Sequence, residues 1–94
     1  MTYRLEFEKR ADKEWKKLAP DIRKQFCKKL VERLDNPCVS KDRMSDMPNC
    51  YKIKLKTSGY RLVYTIIESK IVVQVISIGR REREEVYKNA KNRI

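Results

Sequence analysis

Apolar and polar residues alternate one for one over residues 51–56, with Tyr51, Ile53 and Leu55 set against Lys52, Lys54 and Lys56. That is the period of a strand with two unlike faces. Residues 60–67 are rich in β-branched and aromatic side chains and read as a returning strand. Ser58-Gly59 between them predicts a tight turn, because glycine reaches positive φ without steric cost. With Ser58 and Gly59 as the two loop residues, Lys56 opposes Arg61, Lys54 opposes Val63 and Lys52 opposes Thr65. Arg61 then joins the lysine face, while Tyr60, Leu62, Tyr64 and Ile66 join Tyr51, Ile53 and Leu55 over a core. A slip of one residue would bury Arg61 among apolar side chains, so burial selects this register.

The same patterning orders the rest of the chain. Residues 2–8 alternate, Tyr3, Leu5 and Phe7 against Arg4, Glu6 and Glu8, and predict a first strand. Residues 9–18 switch to helical spacing, with Ala11, Trp15 and Leu18 on one side. Pro20 ends that helix and suits the first turn of another. Ile22, Phe26, Leu30 and Leu34 recur every four residues, supported by Cys27 and Val31, until Asn36-Pro37. Residues 38–49 lack periodicity and read as a loop. Glu68-Ser69-Lys70 is a turn, and residues 71–78 are almost continuously apolar, as a strand covered on both faces would be. Residues 80–94 are mostly charged, with Val86, Tyr87 and Ala90 as sparse apolar points, and predict a weakly docked helix. Trp15, Phe26 and Tyr64 belong to the core. The expected fold is α+β: an N-terminal strand, a helical hairpin, three antiparallel strands completing a four-stranded sheet, and a short C-terminal helix. It forms a single domain over residues 1–94, and its second sheet face is left open with the lysines on it.

Composition narrows the chemistry. The 94 residues carry 24 Lys and Arg against 13 Asp and Glu, a net charge of +11. An excess of this size implies nucleic acid, an anionic surface or an acidic protein as partner. No apolar run approaches a membrane span and no signal peptide is expected, so no membrane association and a cytoplasmic location are expected. Histidine is absent and the three cysteines, Cys27, Cys38 and Cys50, are widely spaced. A zinc site and a disulfide framework are not expected, nor is any cofactor; the cysteines read as reduced thiols, with Cys27 on the buried face of its helix. Histidine-based triads are excluded, and with only Gly59 and Gly79 there is no phosphate-binding glycine loop.

Like charges opposed across a ladder are destabilising, so a row of lysines with an arginine suggests an anionic partner. The same row also fits a solvated face that discourages edge pairing. Gly79 ends the last strand at the sheet margin, which starts Arg80, Arg81 and Arg83 close to Lys52, Lys54, Lys56 and Arg61. Tyr87 follows about two helical turns into that segment. RNA cleavage needs a proton removed from the 2′-hydroxyl, an in-line geometry, a stabilised phosphorane charge and a protonated leaving oxygen. A lysine crowded by cations can act as a base, arginines stabilise phosphate charge, and a tyrosine can stack on a splayed base. From these residues alone a noncatalytic basic nucleic-acid-binding module fits better than a nuclease, since clusters of this kind more often only bind. Arg80, Arg81 and Arg83 equally fit a solvated run paired with Glu82, Glu84 and Glu85.

The segments Met47-Pro-Asn-Cys-Tyr-Lys-Ile-Lys-Leu-Lys, Ser58-Gly-Tyr-Arg-Leu-Val-Tyr and Ile78-Gly-Arg-Arg-Glu-Arg-Glu-Glu-Val-Tyr, with the order of elements, resemble the RelE toxins of RelBE toxin–antitoxin systems, within the RelE/ParE superfamily. The resemblance runs over residues 3–93. It implies a RelE-like fold and a metal-independent endoribonuclease that enters the ribosomal A site, cuts mRNA there and inhibits translation. It implies a RelB-type antitoxin, the 70S ribosome with its 16S rRNA and A-site mRNA, and operator DNA bound through the antitoxin complex as partners. It also implies roles: Lys54 as general base, Arg81 as general acid, Lys52 and Arg61 on the phosphate, Tyr87 stacked on a codon base. Arg43, Lys56, Arg80 and Arg83 are expected RNA contacts. Where the family has Arg-Gly before the lysine strand, this chain has Ser45 and Asp46; either Arg43 takes over that contact or it is lost. Lys16, Lys17, Lys24, Lys28 and Lys29 are candidate rRNA phosphate contacts. The alternative within the superfamily is a ParE-type toxin that inhibits DNA gyrase.

Overall fold

The computed structural model describes residues 2–80 and 85–94. Its elements are β1 (Arg4–Phe7), α1 (Lys9–Lys16), α2 (Pro20–Asp35), β2 (Cys50–Leu55), β3 (Tyr60–Ile67), β4 (Val72–Arg80) and α3 (Glu85–Arg93). Short 3₁₀ turns occupy Ser40–Asp42 and Glu68–Lys70. The α+β class and the four strands are as the sequence predicts.

Local chemistry explains the helix starts. Glu8 caps α1 by accepting from the Arg10 amide, satisfying one of the donors a helix leaves free. Ala19 offers α2 no side-chain cap, but Pro20 in the first turn has no amide to satisfy and a φ already suited to a helix. Ile22, Phe26 and Leu30 are buried against the sheet. Spaced by four, they drift around a helix of 3.6 residues per turn. Cys27 and Val31, one position further on, fall off the covered flank and are exposed, contrary to the expectation.

The sheet order is β1-β4-β3-β2, and β1 pairs with β4 in parallel, Arg4 beside Val72 through Phe7 beside Val75. The sheet is therefore mixed, not wholly antiparallel. In the hairpin Leu55 faces Tyr60, Lys54 faces Arg61 and Lys52 faces Val63. The loop is thus residues 56–59, closed by the Gly59 amide donating to the Leu55 carbonyl at 2.9 Å. The expected two-residue loop is replaced by a four-residue one with Gly59 at φ 76°. Moving the register by two preserves every side chain's face and changes only its partner.

Apolar side chains are buried on both faces of the sheet. One core lies under α1 and α2 and holds Phe26, Leu30, Ile53, Leu62 and Tyr64. A smaller cluster on the other face joins Met47, Cys50 and Val63 to Ile76, Val86 and Ala90. A bulge in β4 makes this possible: Val63 faces Ser77 while Tyr64 faces Val75, so Ile76 is the extra residue and turns to the α3 side. The second face is consequently half covered, where the sequence suggests an open one.

Nor is α3 weakly docked. Val86 and Ala90 are buried, and Arg93 fastens its far end. One Arg93 nitrogen donates to Glu14 Oε1 at 2.8 Å and to the Ile76 carbonyl at 3.0 Å, and the other to Glu14 Oε2 at 3.1 Å. Glu8 adds a carboxylate at 3.7 Å. At the opposite side Lys91 pairs with Asp46 of the loop before β2.

Candidate active site

The uncovered half of the second face is set by β2 and β3. The Cys50 carbonyl accepts from the Met44 amide at 2.9 Å, so it points away from β3. Strand alternation then turns the carbonyls of Lys52 and Lys54 outward as well, making Lys52–Val63 and Lys54–Arg61 non-hydrogen-bonded pairs. Such pairs bring their Cα atoms to about 4.5 Å, the closer of the two spacings in an antiparallel ladder. Lys54 and Arg61 are thus forced together side by side, like charge against like charge. Among the described residues none of Lys52, Lys54, Lys56 and Arg61 takes part in an ion pair. An anion between Lys54 and Arg61 would relieve the repulsion.

Arg61 is 5% exposed, against the expectation of an open position. It lies on the rung next to Val63, where the α3 cluster begins. Its Nη1 donates to the Tyr60 carbonyl at 3.0 Å, and its Nε is buried without a partner among the described residues. Gly79 of β4 stands opposite and contributes no side chain beside the guanidinium. Burial fixes the direction of the fork of donors, which suits a phosphate better than a freely turning side chain would. Lys52 is half-buried and Lys54 exposed.

Tyr87 is half-buried and packs on the cluster of Met47, Cys50, Val63, Val86 and Ala90. Val63 is also the rung partner of Lys52, so Tyr87 and Lys52 share a face. Lys52, Lys54, Arg61 and Tyr87 are therefore brought together. Lys56 is exposed in the turn beyond β2. Arg81 and Arg83 lie outside the described residues.

Two expected contacts fall elsewhere. Arg80 stands opposite Tyr60, with its guanidinium 5.3 Å from that ring's centroid, on the side of the helical hairpin. Arg43 is exposed and bridges to Tyr51, whose ring also belongs to that side. The Tyr51 phenol is pushed up by desolvation, further raised by its hydrogen bond with Cys38, and lowered by the charge of Arg43. Both arginines border the sheet without joining the lysine row.

Burial pushes the Cys50 thiol up, so it stays protonated near neutrality and is no nucleophile. Among the described residues no group of three or more acidic or cysteine side chains is placed to hold a metal ion. The chemistry on offer is cationic and aromatic.

A polar cluster beneath the site escaped the sequence reading. Arg33 at the end of α2 donates to the Tyr64 hydroxyl at 2.9 Å and to the Lys52 carbonyl at 3.3 Å, and pairs with Asp42. The Tyr64 hydroxyl donates onward to the Pro37 carbonyl at 2.7 Å. The available signal was Tyr64 itself, since a tyrosine in an apolar strand needs a partner for its hydroxyl.

The sequence matches the family described as ParE toxin of type II toxin–antitoxin system, parDE, over residues 5–85. It is 55% identical over 94 residues to the mRNA interferase toxin RelE of Escherichia coli K12, covering 100% of this chain and 99% of that one. A variant of E. coli toxin RelE in the free state superposes with a TM-score of 0.93 at 53% identity, over 100% of this chain and 99% of that chain. The toxin in the intact E. coli RelBE toxin–antitoxin complex superposes with a TM-score of 0.83 at 54% identity, over 86% of this chain and 99% of that chain.

Proposed function

The chain belongs to the RelE/ParE superfamily of type II toxins, and on that premise we propose that it cuts mRNA in the ribosomal A site as a ribosome-dependent endoribonuclease. It is a type II toxin with mRNA endonuclease activity. The observation that carries the mechanism is the opposition of Lys54 and Arg61 on a close-spaced rung.

A scissile phosphate set on that rung accepts from the Arg61 fork, and its single negative charge relieves the repulsion between the two side chains. Lys54 acts as the free amine: it stands beside the 2′-hydroxyl and takes its proton as general base. Arg61, with Lys52 one rung away, stabilises the charge that grows on the phosphate oxygens. Tyr87, on the same face as Lys52, stacks on a base and splays the nucleotide so that the attacking oxygen lies in line. Arg81 protonates the leaving 5′-oxygen. The products are a 2′,3′-cyclic phosphate and a 5′-hydroxyl, with one proton accepted by Lys54 and one donated by Arg81. Lys56 guides the strand at the edge of the site, and Arg83, Arg80 and Arg43 contact RNA outside it. The ribosome supplies the remaining positioning by holding the codon in the A site.

An antitoxin is the protein partner, as in the RelBE complex this chain resembles. Bound to its own antitoxin, this chain would take part in repressing its operon through operator DNA. No described helix is long and apolar enough to cross a membrane, and the reading places the protein in the cytoplasm with the ribosomes.

The family description names ParE, which keeps the gyrase reading alive as the competitor. Programmed ribosomes and, separately, gyrase with plasmid distinguish the two. Cut mRNA in the first reaction supports the proposal. Lost supercoiling with intact mRNA transfers the protein to the gyrase class, and no effect in either leaves a binding module.

A further inference from the structure

Arg33, Asp42 and Tyr64 lie outside the constellation just described, yet they meet it at one atom. The Lys52 carbonyl points out of the sheet, on the open edge of β2. An outward carbonyl on an edge strand ordinarily takes water. Here Arg33 Nη1 donates to it at 3.3 Å, from the last turn of α2. The same nitrogen donates to the Tyr64 hydroxyl at 2.9 Å, and the other terminal nitrogen pairs with Asp42. The Arg33 and Asp42 side chains are only 12% and 10% exposed.

A buried ion pair of this kind is costly to desolvate and contributes little net stability compared with an apolar filling. Geometry is what it supplies. Arg33 has donors in a fixed plane, and three acceptors fix that plane: one on β2, one on β3 and one on the 3₁₀ turn Ser40–Asp42. That turn leads directly to Met44, whose amide holds the Cys50 carbonyl, and to Met47, against which Tyr87's cluster packs. The clasp therefore holds Lys52 from its backbone and, through residues 42–47, the wall behind Tyr87.

We propose that Arg33, braced by Asp42, is a positioning residue for Lys52 in mRNA cleavage. The inference rests on the reading of Lys52 as part of the cleavage site. An edge strand free to shift by an ångström would carry Lys52 out of line with the phosphate. Losses of this type fall on the rate of the bound complex more than on binding.

The test compares Arg33→Lys, Asp42→Asn and Lys52→Ala, and the doubles of the first two with Lys52→Ala, in single-turnover cleavage on programmed ribosomes across toxin concentration. Arg33→Lys keeps the charge and loses the planar fork; Asp42→Asn keeps the shape and loses the brace. Both should lower the saturating rate by about tenfold or more while moving the half-saturating concentration by less than about threefold. Added to Lys52→Ala, neither should lower the rate further. A full additional loss on top of Lys52→Ala, or an unchanged saturating rate in a folded variant, overturns the proposal. Should a variant unfold, the other carries the comparison, and exchange of the Met44 amide provides a second reading: it should speed up in Asp42→Asn, and an unchanged rate overturns the clasp. Wild-type protein that cuts no mRNA on ribosomes would instead remove the functional reading, and the Met44 amide would then decide on the clasp alone.

Discussion

Lys54 and Arg61 face each other across one rung, and the proposed mechanism gives them different work. Their separation from the leaving-group chemistry can be measured. Arg81→Ala should slow cleavage of natural mRNA by about a hundredfold or more, the scale of lost general acid catalysis. A substrate with sulfur at the bridging 5′ position departs without a proton, so Arg81→Ala should recover most of its rate there and Lys54→Ala should not. Equal defects of Arg81→Ala on oxygen and sulfur would make Arg81 a phosphate clamp. A single 2′-deoxy nucleotide at the cut should bind and stay whole; cleavage of it at the normal rate would remove the internal nucleophile. Tyr64 gives a stability test at the same scale. Its phenol is raised by burial, with the Arg33 hydrogen bond acting in the other direction. A folded pKa above the unfolded one means a contribution that is complete below the ordinary phenol value and lost as pH rises through the folded one. Alkaline unfolding should therefore steepen above about pH 10, and Tyr64→Phe should flatten that limb in thermal melts. The same variant should cost about 1–3 kcal/mol at neutral pH, because Arg33 and the Pro37 carbonyl lose a partner.

Strands and helices were legible to different depths. The faces of β2 and β3 follow from alternation alone, and they survive a register error of two because side-chain direction has period two. The partners do not follow: placing Lys54 against Arg61 required the length of the loop, which Ser58-Gly59 leaves open. Arg61, Lys52 and Tyr87 could be assigned to one region from the sequence, whereas the burial of Arg61 depends on how α3 covers the sheet. Docking of α3 was illegible because its fastening is polar and joins residues 79 positions apart. That fastening predicts its own test. Arg93→Met leaves Glu8 and Glu14 facing each other and should cost about 3 kcal/mol in urea unfolding. A cost below about 1 kcal/mol would mean that Val86 and Ala90 hold the helix by themselves. On the other side, the hydrogen bond from Lys91 holds the Asp46 carboxyl below the usual range. A depressed folded pKa stabilises above the unfolded value and is lost as pH falls through the folded one. Amide exchange in α3 should thus quicken on acidification below the ordinary carboxylate range, and Asp46→Asn should remove that dependence.

At the scale of the whole molecule, a net charge of +11 makes encounter with RNA a function of ionic strength. If four cations meet phosphates, raising salt from about 50 mM to 200 mM should weaken binding to single-stranded RNA by about fiftyfold, and Lys54→Ala should reduce the slope of log K on log salt by about 0.7. An unchanged slope would place Lys54 off the phosphate track. The order of strands has another consequence. Among the described residues β1 precedes the other strands and its one neighbour in the sheet is β4, so Arg4 must wait for Val72. Closing contacts of that sequence separation is slow and cannot begin before the far partner exists. During synthesis β1 and the helical hairpin are made before the strands that they pack on. The candidate site, which draws on β2, β3 and α3, is therefore assembled late in synthesis. A partner that recognises the early segments would meet the chain before that site exists.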